Sequence, residues 1–321
     1  AHTLVEVLFP RLDVREIETQ RGRFDALAMA GASPIGEPGH PRLLVAGTMI
    51  AVPPASGVVL TVIESEFETL GQVRPLPVQE DQWSSDRPVQ LDEAAYRRSG
   101  LWPERPAEVS DPAIMRDFRA VSLRTFPVAY DAATGELRVA RRLLLELDYS
   151  SQGKVNVKTT TRSPSRAFRS LYENVIANYD FVRPRYESDS RGKYLIVTHD
   201  NFYSSILPLA EWKHKRGMEV EIARLSVIGS SASQIKSYIQ TAYDTWTVPP
   251  DYILIVGDSE YVPTSNMDNY YGQLEGGDTL VDVFVGRLPA ESVTECDLLV
   301  DKTLGYERTP YMSDLDWFRS G

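Results

Sequence analysis

Residues 251–287 read DYILIVGDSEYVPTSNMDNYYGQLEGGDTLVDVFVGR. The stretch opens on an apolar run, residues 252–256, bounded by Pro249 and Pro250 on one side and by Gly257 and Asp258 on the other. So short a run between turn residues predicts a strand buried on both faces, as in a parallel sheet covered by helices. Gly257 allows a sharp turn and leaves Asp258 at the carboxyl edge of the sheet, where open α/β sheets build their sites. A second acidic group comes with Glu275, Asp278 and Asp282, the last expected to enter the next strand, VDVFVGR. If residues 278–282 are extended, both Asp side chains share a face and the Leu280 carbonyl lies between them. Converging oxygen donors of this kind suit a hard cation such as calcium. A solvated acidic loop in an acidic protein is the plainer alternative, and no EF-hand pattern is present.

The preceding residues extend the α/β reading. KYLIVTH is a buried strand, and Asp200 or Asn201 caps a helix carrying Phe202, Ile206, Leu209 and Trp212 until Gly217 ends it. Pro208 inside that pattern predicts a kink or the helix's true start. MEVEIARL is the next strand, and SASQIKSYIQTAYDTW the next helix, with Ile235, Tyr238, Ile239, Ala242 and Trp246 on one side. A βαβαβ order with right-handed crossovers gives a mainly parallel sheet. A last helix, residues 291–308, carries Val293, Cys296, Val300 and Thr303 as its stripe. Neither a G-x-G-x-x-G nor a Walker motif accompanies this Rossmann-like alternation, which disfavours a nucleotide site.

Residues 1–151 differ in kind. LLVAGTMIAVP, VVLTVIESEF, AVSLRTFPVAYD and LRVARRLLLELDY are β-branched or alternating segments separated by Gly and Pro, with DAATG at 131–135 as a hairpin turn. A β-rich, sandwich-like domain is expected. Residues 78–112 form a Pro-rich excursion in which Trp83, Tyr96 and Trp102 pack the loop down or meet a partner, packing being favoured. Residues 152–191 read as a linker around one short helix whose Phe168, Leu171, Tyr172, Val175 and Ile176 share a face. Exposed Arg183, Arg185 and Arg191 are expected cleavage points if the protein is made as a precursor; a solvated interdomain connection is the alternative.

The whole chain of 321 residues has a net charge of -11 and is 42% apolar, enough for two ordinary cores. With a pI near 5.0 it has no basic surplus for nucleic acid or an anionic membrane. No apolar run reaches bilayer length. The lone Cys296 excludes an internal disulfide.

Cys296 is also the only thiol available as a nucleophile, but its place on the inward stripe of a helix predicts a small buried side chain. His199 ends a strand without a nucleophile beside it. His214 sits among Lys213, Lys215 and Arg216, while His2 and His40 belong to the β-rich part. No catalytic residue is assigned within the chain.

The segments GDSEYVP, DNYYGQLEGGD, DVFVGRLPAES and KTLGYER resemble the first half of the catalytic domain of the gingipain family of secreted cysteine peptidases. IGEPGHPRLLVAGTMIAVP and MRDFRAVSLRTFPVAYDAATGELRV are similar to that family's propeptide, less specifically. The resemblance implies a propeptide-like domain at 1–151, a linker at 152–191 and a first caspase-like α/β subdomain at 192–321. It implies a calcium site with side-chain ligands Asp258, Asp278 and Asp282 and backbone carbonyls of Glu275 and Leu280. It also implies a bacterial protein, secreted or held at the cell surface, made as a zymogen whose propeptide confers latency. Its partners would be its own downstream catalytic subdomain and a peptide or protein substrate. The catalytic His and Cys are expected beyond YMSDLDWFRSG, so the chain alone is expected to be inactive. A gingipain-like transpeptidase and a non-catalytic surface or adhesion module are the alternatives.

Overall fold

The computed structural model describes residues 1–80, 88–149, 152–184 and 190–310. Trp83, Arg185 and the YMSDLDWFRSG end therefore lie outside the described residues.

Two compact units emerge, and their boundary is not a single cut: the first holds Ala1–Pro112, Ala120–Val157 and Val175–Tyr179, the second Ala113–Arg119, Lys158–Asn174 and Asp180–Gly321. The amino-terminal part of the chain contains strands β1 (His2–Leu8), β2 (Asp13–Thr19), β3 (Gly22–Ala28), β4 (Ser33–Ile35), β5 (Leu43–Ala51), β6 (Val59–Leu70), β7 (Ala107–Val109), β8 (Ala113–Met115), β9 (Phe118–Thr125), β10 (Val128–Asp131) and β11 (Glu136–Asp148).

Within the first unit β11 is the central strand, antiparallel to β1 and β10 along one edge and to β6 along the other. A second antiparallel sheet runs β4-β5-β9-β7, and β2 and β3 form a hairpin. Leu143, Leu145 and Leu147 of β11 share one apolar core with Ile50 of β5 and with Val121 and Leu123 of β9. That is the expected sandwich, with alternate residues of each strand facing inward. The DAATG turn joins β10 to β11 through Ala133 and Thr134 N–H groups that donate to the Asp131 carboxylate. Trp102 belongs to the same body, since it exchanges backbone hydrogen bonds with Tyr130.

The rest of the chain adds α1 (Arg166–Val175), α2 (Tyr179–Val182), β12 (Lys193–Thr198), α3 (Tyr203–Lys215), β13 (Glu219–Arg224), α4 (Leu225–Ile228), α5 (Ala232–Thr245), β14 (Pro250–Val256), β15 (Phe284–Leu288) and α6 (Val293–Arg308). In the second unit β13-β12-β14-β15 form one parallel sheet in that order. On one face Leu195, Val197, Ile253 and Ile255 pack with Ile235, Ile239 and Tyr243 of α5. On the other, Ile196, Leu254 and Val256 pack with Ile206 and Leu209 of α3 and with Cys296, Val300 and Leu304 of α6. Both faces of β14 are thus covered, which is why its sequence is a continuous apolar run.

Three local expectations are narrowed or corrected. Pro208 lies inside α3 and so does not mark its start, which is at Tyr203 after a short 3-10 turn capped by His199 rather than by Asp200 or Asn201. Val293 is about half exposed, and Leu304 takes the inward place expected of the stripe's last member. β15 begins at Phe284, so Asp282 precedes the strand and residues 278–282 are not extended strand.

Candidate functional site

The parallel sheet has two edges, and the predicted acidic residues are divided between them. At the carboxyl edge, Gly257 N–H donates to the Leu288 carbonyl at 2.9 Å and Asp258 N–H to the Ala290 carbonyl at 3.0 Å. Asp258 therefore stands level with the residues just after β15. Asp282 and Asp278 come before Phe284, whose partner across the sheet is Tyr252. At ~3.3 Å per strand residue, the separation of Asp258 from Asp282 is on the order of 20 Å.

The carboxylates at the amino edge already have partners. Asp282 is fully buried, and its Oδ1 accepts from Arg116 N–H at 2.8 Å. Its Oδ2 accepts from Leu274 N–H at 2.8 Å and Glu275 N–H at 2.7 Å. These bonds close the 273–282 loop on itself, which draws Asp282 out of the ladder and explains the late start of β15. Burial pushes the Asp282 carboxyl up to about 6, against the three N–H donors that favour its charge. Asp278 accepts from Ile114 N–H at 2.8 Å and from Leu280 N–H at 2.9 Å. Glu275 accepts from Lys158 Nζ and Thr160 Oγ1, each at 2.7 Å, and from Tyr243 Oη at 3.0 Å. Burial opposes ionisation of Glu275, but the Lys158 and Thr160 hydrogen bonds outweigh it and its carboxyl lies below the usual value.

Among the described residues no group of three or more His, Cys, Asp or Glu side chains is arranged to hold a metal ion. Of the expected calcium ligands, Asp258 stands at the carboxyl edge, whereas Glu275, Asp278 and Asp282 lie in or beside the loop before β15, with Leu280 between the last two, and their carboxylates accept from protein N–H, ammonium and hydroxyl groups.

The centre of the amino edge is instead Arg116, a residue the sequence alone did not single out. Its Nη1 donates to the Pro250 carbonyl at 2.8 Å and to the Asp282 carbonyl at 2.9 Å. Its Nη2 lies 2.5 Å from Asp251 Oδ1. The rings of Phe168 and Tyr243 stand 4.6 Å and 5.5 Å from the guanidinium carbon. Its own carbonyl accepts from Lys158 Nζ at 2.5 Å. Burial raises the Asp251 carboxyl, against the pull of Arg116 and a hydrogen bond from Ser165. Asp117 is raised in the same way and accepts from Tyr172 Oη at 2.8 Å. Asp251 stands first in the 251–287 stretch, yet its partner is 135 residues earlier, and no local pattern could have paired them.

The carboxyl edge carries fewer fixed charges. His199 packs on Phe202 and Tyr261, and its Nδ1 accepts from Asn201 N–H at 3.2 Å. Arg287 grips Asp268 through two hydrogen bonds, of 2.6 Å and 2.8 Å, and donates to the Gly257 and Val262 carbonyls. It braces the turn that carries Asp258. Cys296 has no exposed surface and sits in the core between α3 and α6, where burial raises its thiol above the ordinary value.

Comparison with known proteins gives two adjacent matches, the first running past residue 151 and through most of the expected linker. A sequence profile described as Propeptide_C25 matches residues 2–181, and one described as Peptidase family C25 matches residues 187–320. Gingipain R2 of Porphyromonas gingivalis is 24% identical over 316 residues, covering 95% of this chain and 43% of that protein. Lys-gingipain of the same species is 24% identical over 325 residues, covering 94% of this chain and 19% of that protein. The chain thus spans less than half the length of these curated relatives. A solved complex of Porphyromonas gingivalis RgpB pro- and mature domains aligns at a TM-score of 0.49 with 22% identity, over 56% of this chain and 93% of that one. A structure concerned with the zymogenic latency of gingipain K aligns at 0.41 with 26% identity, over 47% of this chain and 87% of that one. Since the propeptide profile alone covers more than half of the sequence and the peptidase profile takes up most of the remaining residues, the chain belongs to the C25 peptidase family and joins its propeptide to part of its peptidase domain.

Proposed function

We propose that this chain is the amino-terminal portion of the precursor of a secreted, gingipain-like cysteine endopeptidase. The observation that carries this reading is the order of the two matched regions, propeptide at 2–181 and peptidase at 187–320. In the parent protein a Cys thiolate attacks a peptide carbonyl while a His transfers the protons, both supplied by chain beyond these residues. The parallel sheet serves as scaffold, with its carboxyl edge turned to the chemistry as in other open α/β sheets. The first unit supplies latency, and its removal follows cleavage in the connection that contains Arg183 and Arg191. Peptides and proteins outside the cytoplasm are the substrates.

The test is expression of the longer parent chain, followed by activation and a peptide-hydrolysis assay with and without a thiol alkylating agent. Alkylation-sensitive hydrolysis is expected. A parent chain that folds and is processed, yet hydrolyses no peptide, would sink the proposal in favour of a surface module. Transfer of the acyl group to an added amine in preference to water would make it a transpeptidase.

A further inference from the structure

We propose that Arg116 is a guanidinium anchor: it seats the propeptide region in a pocket of the peptidase region that selects guanidinium over ammonium, and holds the two pieces together after the connection between them is cut. The anchor rests on the precursor reading. Arg116 belongs to the propeptide match, whereas Pro250, Asp251, Asp282 and Tyr243 belong to the peptidase match. The strap Ala113–Arg119 nevertheless falls in the same compact unit as the parallel sheet.

Three observations support an anchor over ordinary packing. The Arg116 side chain is 5% exposed and meets its partners along two edges, two carbonyls on Nη1 and a carboxylate on Nη2. A planar fork with the Phe168 and Tyr243 rings 4.6 Å and 5.5 Å from its carbon fits that arrangement; an ammonium, a compact point charge, does not. Arg116 is also held at φ 47°, in the left-handed region that L-residues avoid, so surrounding contacts must fix it there. Its N–H and carbonyl provide them, one bonded to Asp282 and the other to Lys158. Finally, among the described residues Arg116 is the only basic side chain paired with Asp251, which is itself 1% exposed. Truncating the guanidinium while the two regions stay together leaves Asp251 buried without its cation, so a complex lacking Arg116 is weaker than the native one.

The experiment uses the full chain with a specific protease site placed between residues 182 and 191. After nicking, the two pieces of the native sequence are expected to co-elute on gel filtration. Arg116→Ala and Arg116→Lys are both expected to raise the dissociation constant of the nicked complex by on the order of a hundredfold. In un-nicked Arg116→Ala, millimolar ethylguanidinium should raise the melting temperature saturably, and ethylammonium at the same concentration should not. If Arg116→Ala does not fold, Arg116→Lys and Arg116→Gln carry the same comparison. Lysine holding the pieces as tightly as arginine, or equal rescue by both cations, would overturn the anchor. Neither readout depends on peptidase activity, so an inactive parent chain would defeat the precursor reading while leaving the pocket's selectivity measured.

Discussion

The two units bury different things. Between its sheets the first hides aliphatic side chains, with Leu137, Val139, Leu143, Leu145 and Leu147 of one strand each at 0% exposure. The second hides charge as well: Arg116, Arg119, Lys158, Asp251 and Asp282, every charged residue that is buried among the described residues, fall within it. An aliphatic core is held by area and tolerates any side chain of similar volume and shape. A charged one tolerates only its matched partner, because each ion left alone in the interior opposes folding. The first unit therefore resembles a fold that is merely stable, whereas the amino edge of the second specifies which segments must be present.

The largest effect should come from breaking a matched pair. Asp251→Ala leaves Arg116 buried and unpaired and is expected to cost about 3–5 kcal/mol of stability, measured by urea unfolding of the full chain. In a double-mutant cycle Arg116→Ala should cost less on top of it than alone, since the ion pair is lost only once and the second change removes the cation left unpaired by the first. Additive losses would show that the charges act separately. For the first unit, Leu145→Ala should cost about 3 kcal/mol by cavity formation. Leu145→Met at the same place should cost below ~1.5 kcal/mol, a tolerance no substitution of Asp251 shares.

That contrast also explains what could be read from the sequence. The alternation of β11, the continuous run of β14 and the helical spacing of Ile235 and Ile239 record local periodicity, and each element formed where that periodicity placed it. The Arg116 site leaves no such trace. Its partners Asp251 and Asp282 lie 135 and 166 residues away, and each taken alone is an unremarkable acid in an acidic chain. Asp282 misled for a related reason: its alternation with Asp278 implied a strand, but backbone N–H groups of its own loop compete for the carboxylate and win. Grouping Asp258 with it required the loop to return to the same edge of the sheet, which the parallel register of β14 and β15 rules out.

A smaller effect is expected at Gly192, the residue on which Asp251 rests. Its φ is 91°, and a Cβ there would collide with the Asp251 carboxylate. Gly192→Ala should therefore cost about 1–3 kcal/mol through overpacking, with the left-handed backbone adding to it. A neutral result would mean that Asp251 moves freely, contrary to a tight guanidinium pocket. Smaller still is Asp258→Ala, a substitution away from the charged edge, expected to change stability by at most ~0.5 kcal/mol. If a single calcium ion bound Asp258 and Asp282 together, Asp258→Ala and Asp282→Ala would abolish the same difference between melting curves in calcium and in chelator. The sheet register predicts that they do not.

The least change of all is expected at Cys296. Its side chain has no exposed surface, and burial raises the thiol, with Asp297 adding to the shift and Ser205 opposing it. A nucleophile for peptide hydrolysis needs the opposite environment, partly open and electropositive, so that the thiolate persists at neutral pH. Iodoacetamide should therefore leave the native chain unlabelled at pH 7 and label it once urea unfolds the second unit. Rapid native labelling would place a reactive thiolate on α6 and turn the scaffold half of the comparison into a candidate catalyst. Slow labelling that tracks unfolding keeps Cys296 what its neighbours Val300 and Leu304 are, a small apolar contact under the sheet.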